Sequence, residues 1–321
     1  MIIQILLLIL GFALLVKGAD WLVAGASSTA SNFKVSKMLI GLTIVAFGTG
    51  APEFAVSISS LINGNTDMLL GNVIGSNVMN ILLLVGIAAL IHTVRVKKDT
   101  VSKELPMLLL ISTVLIVLFL DVNLIQADSN SFSRGDGLVC LLFFGVFLYY
   151  IFAMARKNRS AKKEVEKPQW KLGKSLLITG LGLVGVVAGS ELVVNSASDI
   201  AAAIGISERV IALTIVAFGT GLPELVTTIT AAKRGESDLL IGNIIGSNIF
   251  NICIVLGLPA AIFGTITTTS FEMVDIIMLI GSAVVLWLVA RKDRKITRAE
   301  GVLMLTMYFI YYGYIIIGAL A

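Results

Sequence analysis

Apolar residues in this chain fall in long continuous runs separated by short polar stretches. Ten runs stand out, near 2–26, 37–62, 66–91, 104–121, 136–155, 174–196, 207–232, 237–263, 271–290 and 299–320. Each approaches or exceeds the roughly 20 residues a helix needs to cross a ~30 Å hydrocarbon core. A transmembrane barrel would alternate apolar and polar positions over about ten residues, and these runs do not alternate. The pattern predicts an all-α polytopic membrane protein with ten transmembrane helices. The opening run, Met1 to Val16, has no basic flank before it and no small-residue cleavage site soon after. It reads as a retained first helix rather than a leader.

Composition agrees with the pattern. Apolar residues make up 57% of the chain, charged residues 14%, and the mean hydropathy is +0.98. Soluble domains run about 45–50% apolar and about 25% charged, so an ordinary soluble enzyme is excluded. The short loops leave no room for a soluble catalytic domain. The net charge of +4 does not point to nucleic acid, because the basic residues lie in loops between apolar runs. With the loops numbered in order, the odd ones hold 21 Lys and Arg, and the even ones hold only Arg134 and Arg209. The odd loops are therefore expected in the cytoplasm and both termini outside. Residues 156–174 carry eight of the cations and form the one substantial linker. The predicted organisation is a first five-helix repeat at 1–155, a basic cytoplasmic linker at 156–173 and a second five-helix repeat at 174–321.

The halves repeat one another. Leu-Thr-Ile-Val-Ala-Phe-Gly-Thr-Gly occurs at 42–50 and again at 213–221, an offset of 171. At that offset 23 of the 40 positions from 42 to 81 are identical, including Pro52 and Glu53 with Pro223 and Glu224. Five spans per half is an odd number, so the second half enters the membrane from the opposite side. Such inverted repeats build many secondary transporters, with the substrate site at the midplane between them.

The candidate chemistry lies in those conserved stretches of the repeat. Glu53 and Glu224 are near the centres of the second and seventh spans. A charge at that depth costs on the order of several kcal/mol. No Lys or Arg lies near any span centre; Lys17 is the nearest and is off-centre. The counter-charge is then a bound cation or a proton. Thr49 and Thr220 lie four residues before the glutamates, on the same helix faces. Gly48, Gly50 and Pro52, like Gly219, Gly221 and Pro223, interrupt those helices, and a missing proline donor frees a carbonyl about four residues earlier. In the following spans Asn72, Ser76 and Asn80 share one face, as do Asn243, Ser247 and Asn251. All are hard oxygen donors, suited to Ca²⁺ or Na⁺ and not to soft metals. Cys140 and Cys253 lie inside apolar runs and read as small buried hydrophobes. His92 is the single histidine and cannot form a histidine-based metal site.

Gly-Thr-Gly-Ala-Pro-Glu at 48–53, Gly-Thr-Gly-Leu-Pro-Glu at 219–224, Gly-Ser-Asn-Val-Met-Asn at 75–80 and Gly-Ser-Asn-Ile-Phe-Asn at 246–251 resemble the α-repeats of the calcium/cation antiporter superfamily, in its prokaryotic Na⁺/Ca²⁺ exchanger branch. The resemblance implies an antiporter that exchanges Ca²⁺ for Na⁺ by alternating access, and not an enzyme. It implies Glu53 and Glu224 as shared ligands, with Thr49, Thr220, Ser76, Ser247, Asn80 and Asn251 completing the shell. It assigns the backbone carbonyls of Ala46 and Ala217 to flanking Na⁺ sites, and it has the first and sixth helices slide against the rest. The expected cargo is Ca²⁺ and Na⁺, with no cofactor. The expected surroundings are the lipid bilayer of a prokaryotic inner (plasma) membrane, with no nucleic acid and no obligate protein partner. Two features depart from the family pattern. Gly50 and Gly221 stand where many members have Ser, and Asn251 where some have Asp, which leaves the site at −2. The alternatives are a proton-coupled divalent-cation antiporter, whose branch typically carries a different glutamate motif, and a cation channel.

The loop assignment predicts that an accessibility tag inserted within 160–166 is labelled from the cytoplasmic side and one within 128–132 from outside. Labelling of both from one side would break the ten-span arrangement.

Overall fold

The computed structural model describes residues 2–62, 64, 66–121, 130–160, 167–204, 217–267 and 273–320. In hydrocarbon every backbone polar group must be satisfied within its own segment, and the apolar runs accordingly form helices. The first half holds α1 (Ile2–Phe33), α2 (Lys37–Thr49), α3 (Ala51–Ile62), α4 (Thr66–Ile91), α5 (Thr100–Phe119) and α6 (Arg134–Ser160). The second half holds α7 (Leu172–Ala203), the short α8 (Ala217–Gly219), α9 (Leu222–Lys233), α10 (Ser237–Phe263), α11 (Met273–Asp293) and α12 (Arg298–Leu320). Among the described residues seven helices are long and apolar enough to cross a membrane, or eight if α2 and α3 are one span bent by 44°. The start of the expected seventh span, with Arg209 and the second copy of Leu-Thr-Ile-Val at 213–216, lies outside the described residues, as do 161–166 of the linker.

Helices α1 and α7 run past their predicted ends, to Phe33 and Ala203. Part of the reason is that polar positions of the two helices satisfy each other. Ser28 and Ser175 share a hydrogen bond of 2.8 Å, and Thr29 and Thr179 one of 3.3 Å. The two helices pack along their lengths on small residues. A Cβ at Gly18 would lie 2.6 Å from the Val186 amide nitrogen, and one at Gly182 only 2.3 Å from that of Leu22. Backbones this close need glycine on both sides, the usual device for packing helices in lipid.

Helices α4 and α10 form the centre. Inside the molecule lie 78% and 89% of their apolar windows, against 22% and 17% for α1 and α6. The outer helices instead present large apolar side chains such as Leu142, Tyr149 and Ile310 to the surroundings. The two halves interlock at the centre. Gly41 of α2 sits against the Leu239 carbonyl of α10, and Gly242 and Gly246 of α10 sit against Met38 and Leu42 of α2.

The all-α expectation overlooks two short antiparallel pairs. Strand β1 (Val94–Arg95) pairs with β4 (Lys295–Ile296), and β2 (Ser131–Phe132) with β3 (Ile266–Thr267). The first pair joins loops three and nine, the second joins loops four and eight. Other loop contacts keep the same parity. Lys37 pairs with Glu236 at 2.9 Å, Lys97 with Asp238, and Asn32 donates to the Trp170 carbonyl at 2.8 Å. Near the even loops Thr66 donates to the Thr267 carbonyl at 2.6 Å, and Arg134 to that of Ile262 at 3.2 Å.

Substitution Gly182→Val forces a branched side chain into the α1–α7 contact. It should cost about 1–3 kcal/mol and lower the melting temperature in detergent. Gly180→Ala, where a Cβ meets nothing within 4 Å among the described residues, should not lower it. Equal melting of Gly182→Val and wild type would contradict this packing.

Candidate functional site

The break between α2 and α3 decides where Glu53 lies. Gly48 and Gly50 weaken the helix, and Pro52, the second residue of α3, cannot donate back into it. The chain bends, and Glu53 falls in the first turn of the new helix. Glu224 holds the same place in α9, after Gly221 and Pro223. A helix N-terminus carries unpaired N–H groups and the positive end of the macrodipole, so a carboxylate is best tolerated there. Both glutamates are 2% exposed, and Oε2 of each has no protein partner. Among the described residues no ion pair reaches either carboxylate. Like charges in one buried region repel, and neither carboxylate has a cation to offset the other among the described residues.

Neutral oxygens surround them. Thr49, at the end of α2, is fully buried; its hydroxyl donates to the Val45 carbonyl at 3.1 Å and lies against the Glu224 carboxylate. The first-half threonine thus serves the second-half glutamate. Thr220 is half-buried between Gly219 and Gly221. Asn80 and Asn251 open π-helical turns at Met79–Leu84 and Asn251–Leu256, or directly follow their first residue, and both side chains are 2% exposed with Oδ1 unpartnered. A π turn carries an extra residue and marks functional sites often. The Ser247 hydroxyl is buried without a partner, whereas Ser76 donates to the Asn72 carbonyl at 2.6 Å. The Ala46 carbonyl accepts from the Gly50 amide at 3.0 Å, which leaves it one lone pair. Ala217 begins α8.

Four helices enclose these groups. Helix α3 packs on α4 of its own half and on the π turn at 251–256 of the other; α9 packs on α10 and on the π turn at 79–84. The interlock is reciprocal to the residue. A Cβ at Gly221 would lie 2.0 Å from the Met79 methyl group, and one at Gly50 would lie 3.1 Å from the Phe250 ring. Met79 and Phe250 are equivalents at the offset of 171. Where a serine would stand, a large apolar side chain of the opposite half fills the space.

Sequence reasoning missed several participants. Asn80 donates to Asn248 Oδ1 at 3.0 Å, and Asn248 in turn donates to the Asn77 carbonyl at 3.2 Å, joining α4 to α10. Neither polar atom of the buried Asn77 side chain has a partner, and the Thr227 and Thr228 hydroxyls are also buried and unpartnered. Asn77 and Asn248 recur at the same offset, and that was the available signal. Asn72 buttresses α3 instead, donating to the Glu53 carbonyl and the Ser57 hydroxyl, both at 3.2 Å.

Buried polar atoms are nearly always partnered, so this concentration of unpartnered oxygens is chemically specific. Two carboxylates and a set of neutral oxygens can take one divalent cation, or monovalent cations in its place.

Comparison with known proteins places the chain among membrane exchangers. The family described as "Sodium/calcium exchanger protein" matches residues 3–153 and 174–317. The inner membrane protein YrbG of Escherichia coli (strain K12) is 35% identical over 97% of this chain and 96% of its own length. The sodium/calcium exchanger MaX1 of Methanosarcina acetivorans is 30% identical over 96% of this chain and 97% of its own. A structure of the sodium-calcium exchanger NCX_Mj, soaked with 10 mM Na⁺ and 10 mM Sr²⁺, superposes with a TM-score of 0.84 at 35% identity, covering 97% of this chain and 98% of that one.

The two charges should dominate cation binding. Removing one in Glu53→Gln or Glu224→Gln should weaken Ca²⁺ binding by at least about 100-fold, since a charge pair in a protein is worth on the order of 4 kcal/mol. Asn80→Ala and Asn251→Ala each lose a neutral donor worth about 1 kcal/mol and should weaken it about 5-fold. Calorimetry on the purified protein measures both. Wild-type affinity in either glutamine variant would remove that glutamate from the site.

Proposed function

Because the chain belongs to the sodium/calcium exchanger protein family, we propose that it is a secondary antiporter that exchanges Ca²⁺ for Na⁺ across a prokaryotic inner membrane. Its ions bind between the halves on Glu53 and Glu224. Thr49, Thr220, Ser76, Ser247, Asn80 and Asn251 complete the shell, and the Ala46 and Ala217 carbonyls serve flanking Na⁺. The observation that carries this reading is the pair of buried glutamates, each with an unpartnered oxygen and, among the described residues, no ion pair. MaX1 is named for the same exchange.

The ten spans form two inverted repeats, with both termini outside. Support comes from the parity of the loop contacts, odd with odd and even with even, and from the reciprocal seating of Gly50 under Phe250 and Gly221 under Met79. Alternating access then follows from relative motion of the two similar halves about a fixed site. Helices α1 and α7 are the mobile pair. They bury chiefly each other's faces, and the smooth glycine contact between them lets them move as a unit.

Coupling is electrostatic. Occupied by Ca²⁺, the two glutamates are neutralised and the site can face either side. Empty, it leaves −2 within the membrane, and burying an unpaired ion costs several kcal/mol even after relaxation. Each 1.4 kcal/mol slows a step about tenfold, so the empty carrier reorients several decades more slowly. Na⁺, or protons at low pH, can replace the missing charge. Because both ions use the same carboxylates, Na⁺ and Ca²⁺ compete.

The test loads vesicles with ⁴⁵Ca²⁺ and dilutes them into choline medium near pH 8 that lacks Na⁺ and Ca²⁺. Efflux should be negligible and should begin when Na⁺ or unlabelled Ca²⁺ is added outside. Fast efflux into choline alone would refute obligate exchange and indicate a channel.

A further inference from the structure

Away from the ion site, one recess combines charge, shape and position in a way that exchange does not use. It lies where α5 begins and α11 ends, has a volume of about 640 Å³, and is lined by Lys98, Ser102, Arg291, Lys292, Asp293 and Arg294 among others. That volume is within the ~300–1,000 Å³ typical of small-ligand sites. Four cations face one carboxylate. The neighbouring Asp99 does not balance them, because it pairs with Lys103 at 3.3 Å.

Loop cations of this kind set topology, and Arg291 and Lys292 also complement the C-terminal dipole of α11. Neither role requires a rigid recess, yet this one is tied on three sides. Trp287 Nε1 donates to the Val101 carbonyl at 3.0 Å, which joins α11 to α5. The Val96 amide donates to the Arg294 carbonyl at 2.9 Å, and β1 pairs with β4 directly beside it. Arg291 lies over the Trp287 ring at 5.2 Å. Arg294 itself has a φ of 54°, a left-handed conformation that costs a non-glycine residue roughly 1–2 kcal/mol. Glycine or asparagine is the usual residue at such a helix end; here the position carries a cation that lines the recess.

We propose that this recess binds the phosphate headgroup of an anionic phospholipid. The geometry selects a lipid over a soluble anion. The recess opens at the ends of two helices long and apolar enough to cross a membrane, beside Trp287, and tryptophan is enriched at the depth of the headgroups. Below it the surface is apolar: Leu288, one turn before Lys292 on the same helix face, is 51% exposed and offers a path for an acyl chain. Basic pockets between transmembrane helices at the cytoplasmic side suit such headgroups.

Native mass spectrometry of the detergent-purified full chain tests this with phosphatidylglycerol and phosphatidylcholine. Wild type should bind phosphatidylglycerol preferentially. The double variant Lys98→Gln/Arg294→Asn removes two cations, and asparagine tolerates the left-handed backbone. At about 1 kcal/mol per cation, phosphatidylglycerol binding should weaken about 5-fold for each, on the order of 25-fold together. Lys162→Gln/Lys163→Gln removes the same charge from the linker and should change binding less than about 2-fold. Equal weakening by both variants would overturn the site in favour of general surface attraction, as would no preference between the lipids. Displacement of the lipid by millimolar inorganic phosphate would overturn the lipid assignment in favour of a soluble anion.

Discussion

Two carboxylates buried inside a membrane protein, with no ion pair to answer them among the described residues, govern the rest of this molecule. Water would solvate them, but Glu53 and Glu224 are 2% exposed. A lysine would neutralise them, yet no ion pair reaches them among the described residues. What the fold supplies is partial: the N-terminal turns of α3 and α9, and the Thr49 hydroxyl against Glu224. These moderate the repulsion and leave Oε2 of each glutamate open. In the exchange we propose, a cargo cation completes the electrostatics, and a protein that needs its cargo for charge balance does not readily turn over empty.

The duplication is what brings the charges together. Each half contributes one glutamate on a broken helix and one asparagine on a π turn, and each half's broken helix leans on the other half's π turn. The contacts cross reciprocally: Thr49 to Glu224, Asn80 to Asn248, Phe250 over Gly50, Met79 over Gly221. Neither half holds the site alone. In the proposed mechanism a relative movement of the two halves changes which side reaches the carboxylates and need not dismantle either half's own helices. The close glycine contact of α1 with α7 offers a smooth surface for the movement proposed.

Much of this was legible in one dimension. Continuous apolar runs located the long helices, because lipid demands them wherever they occur. The offset of 171 paired the motifs, and the Gly and Pro residues around Glu53 marked the break. The 44° bend was not legible, because it depends on what packs beside the break. Nor were Asn77 and Asn248. A spacing of four residues placed Asn72, Ser76 and Asn80 on one face, but that arithmetic assumes an unbroken α-helix. The π turn starting at Met79 changes the register, and Asn72 turns to α3 while Asn80 turns to α10. Gly50 and Gly221 read as missing hydroxyls in the sequence; only the fold shows Phe250 and Met79 against them. The strand pairs β1–β4 and β2–β3 join loops remote in the chain, and two-residue strands carry no periodicity to detect.

The central claim is that Na⁺ and Ca²⁺ alternate on the same two glutamates, so that a gradient of one drives the other. Uptake of ⁴⁵Ca²⁺ into proteoliposomes tests it most directly, with an outward Na⁺ gradient compared with an outward proton gradient. The account predicts uptake above equilibrium with Na⁺ inside, abolished in Glu53→Gln and in Glu224→Gln. Uptake driven by the proton gradient and indifferent to Na⁺ would contradict it.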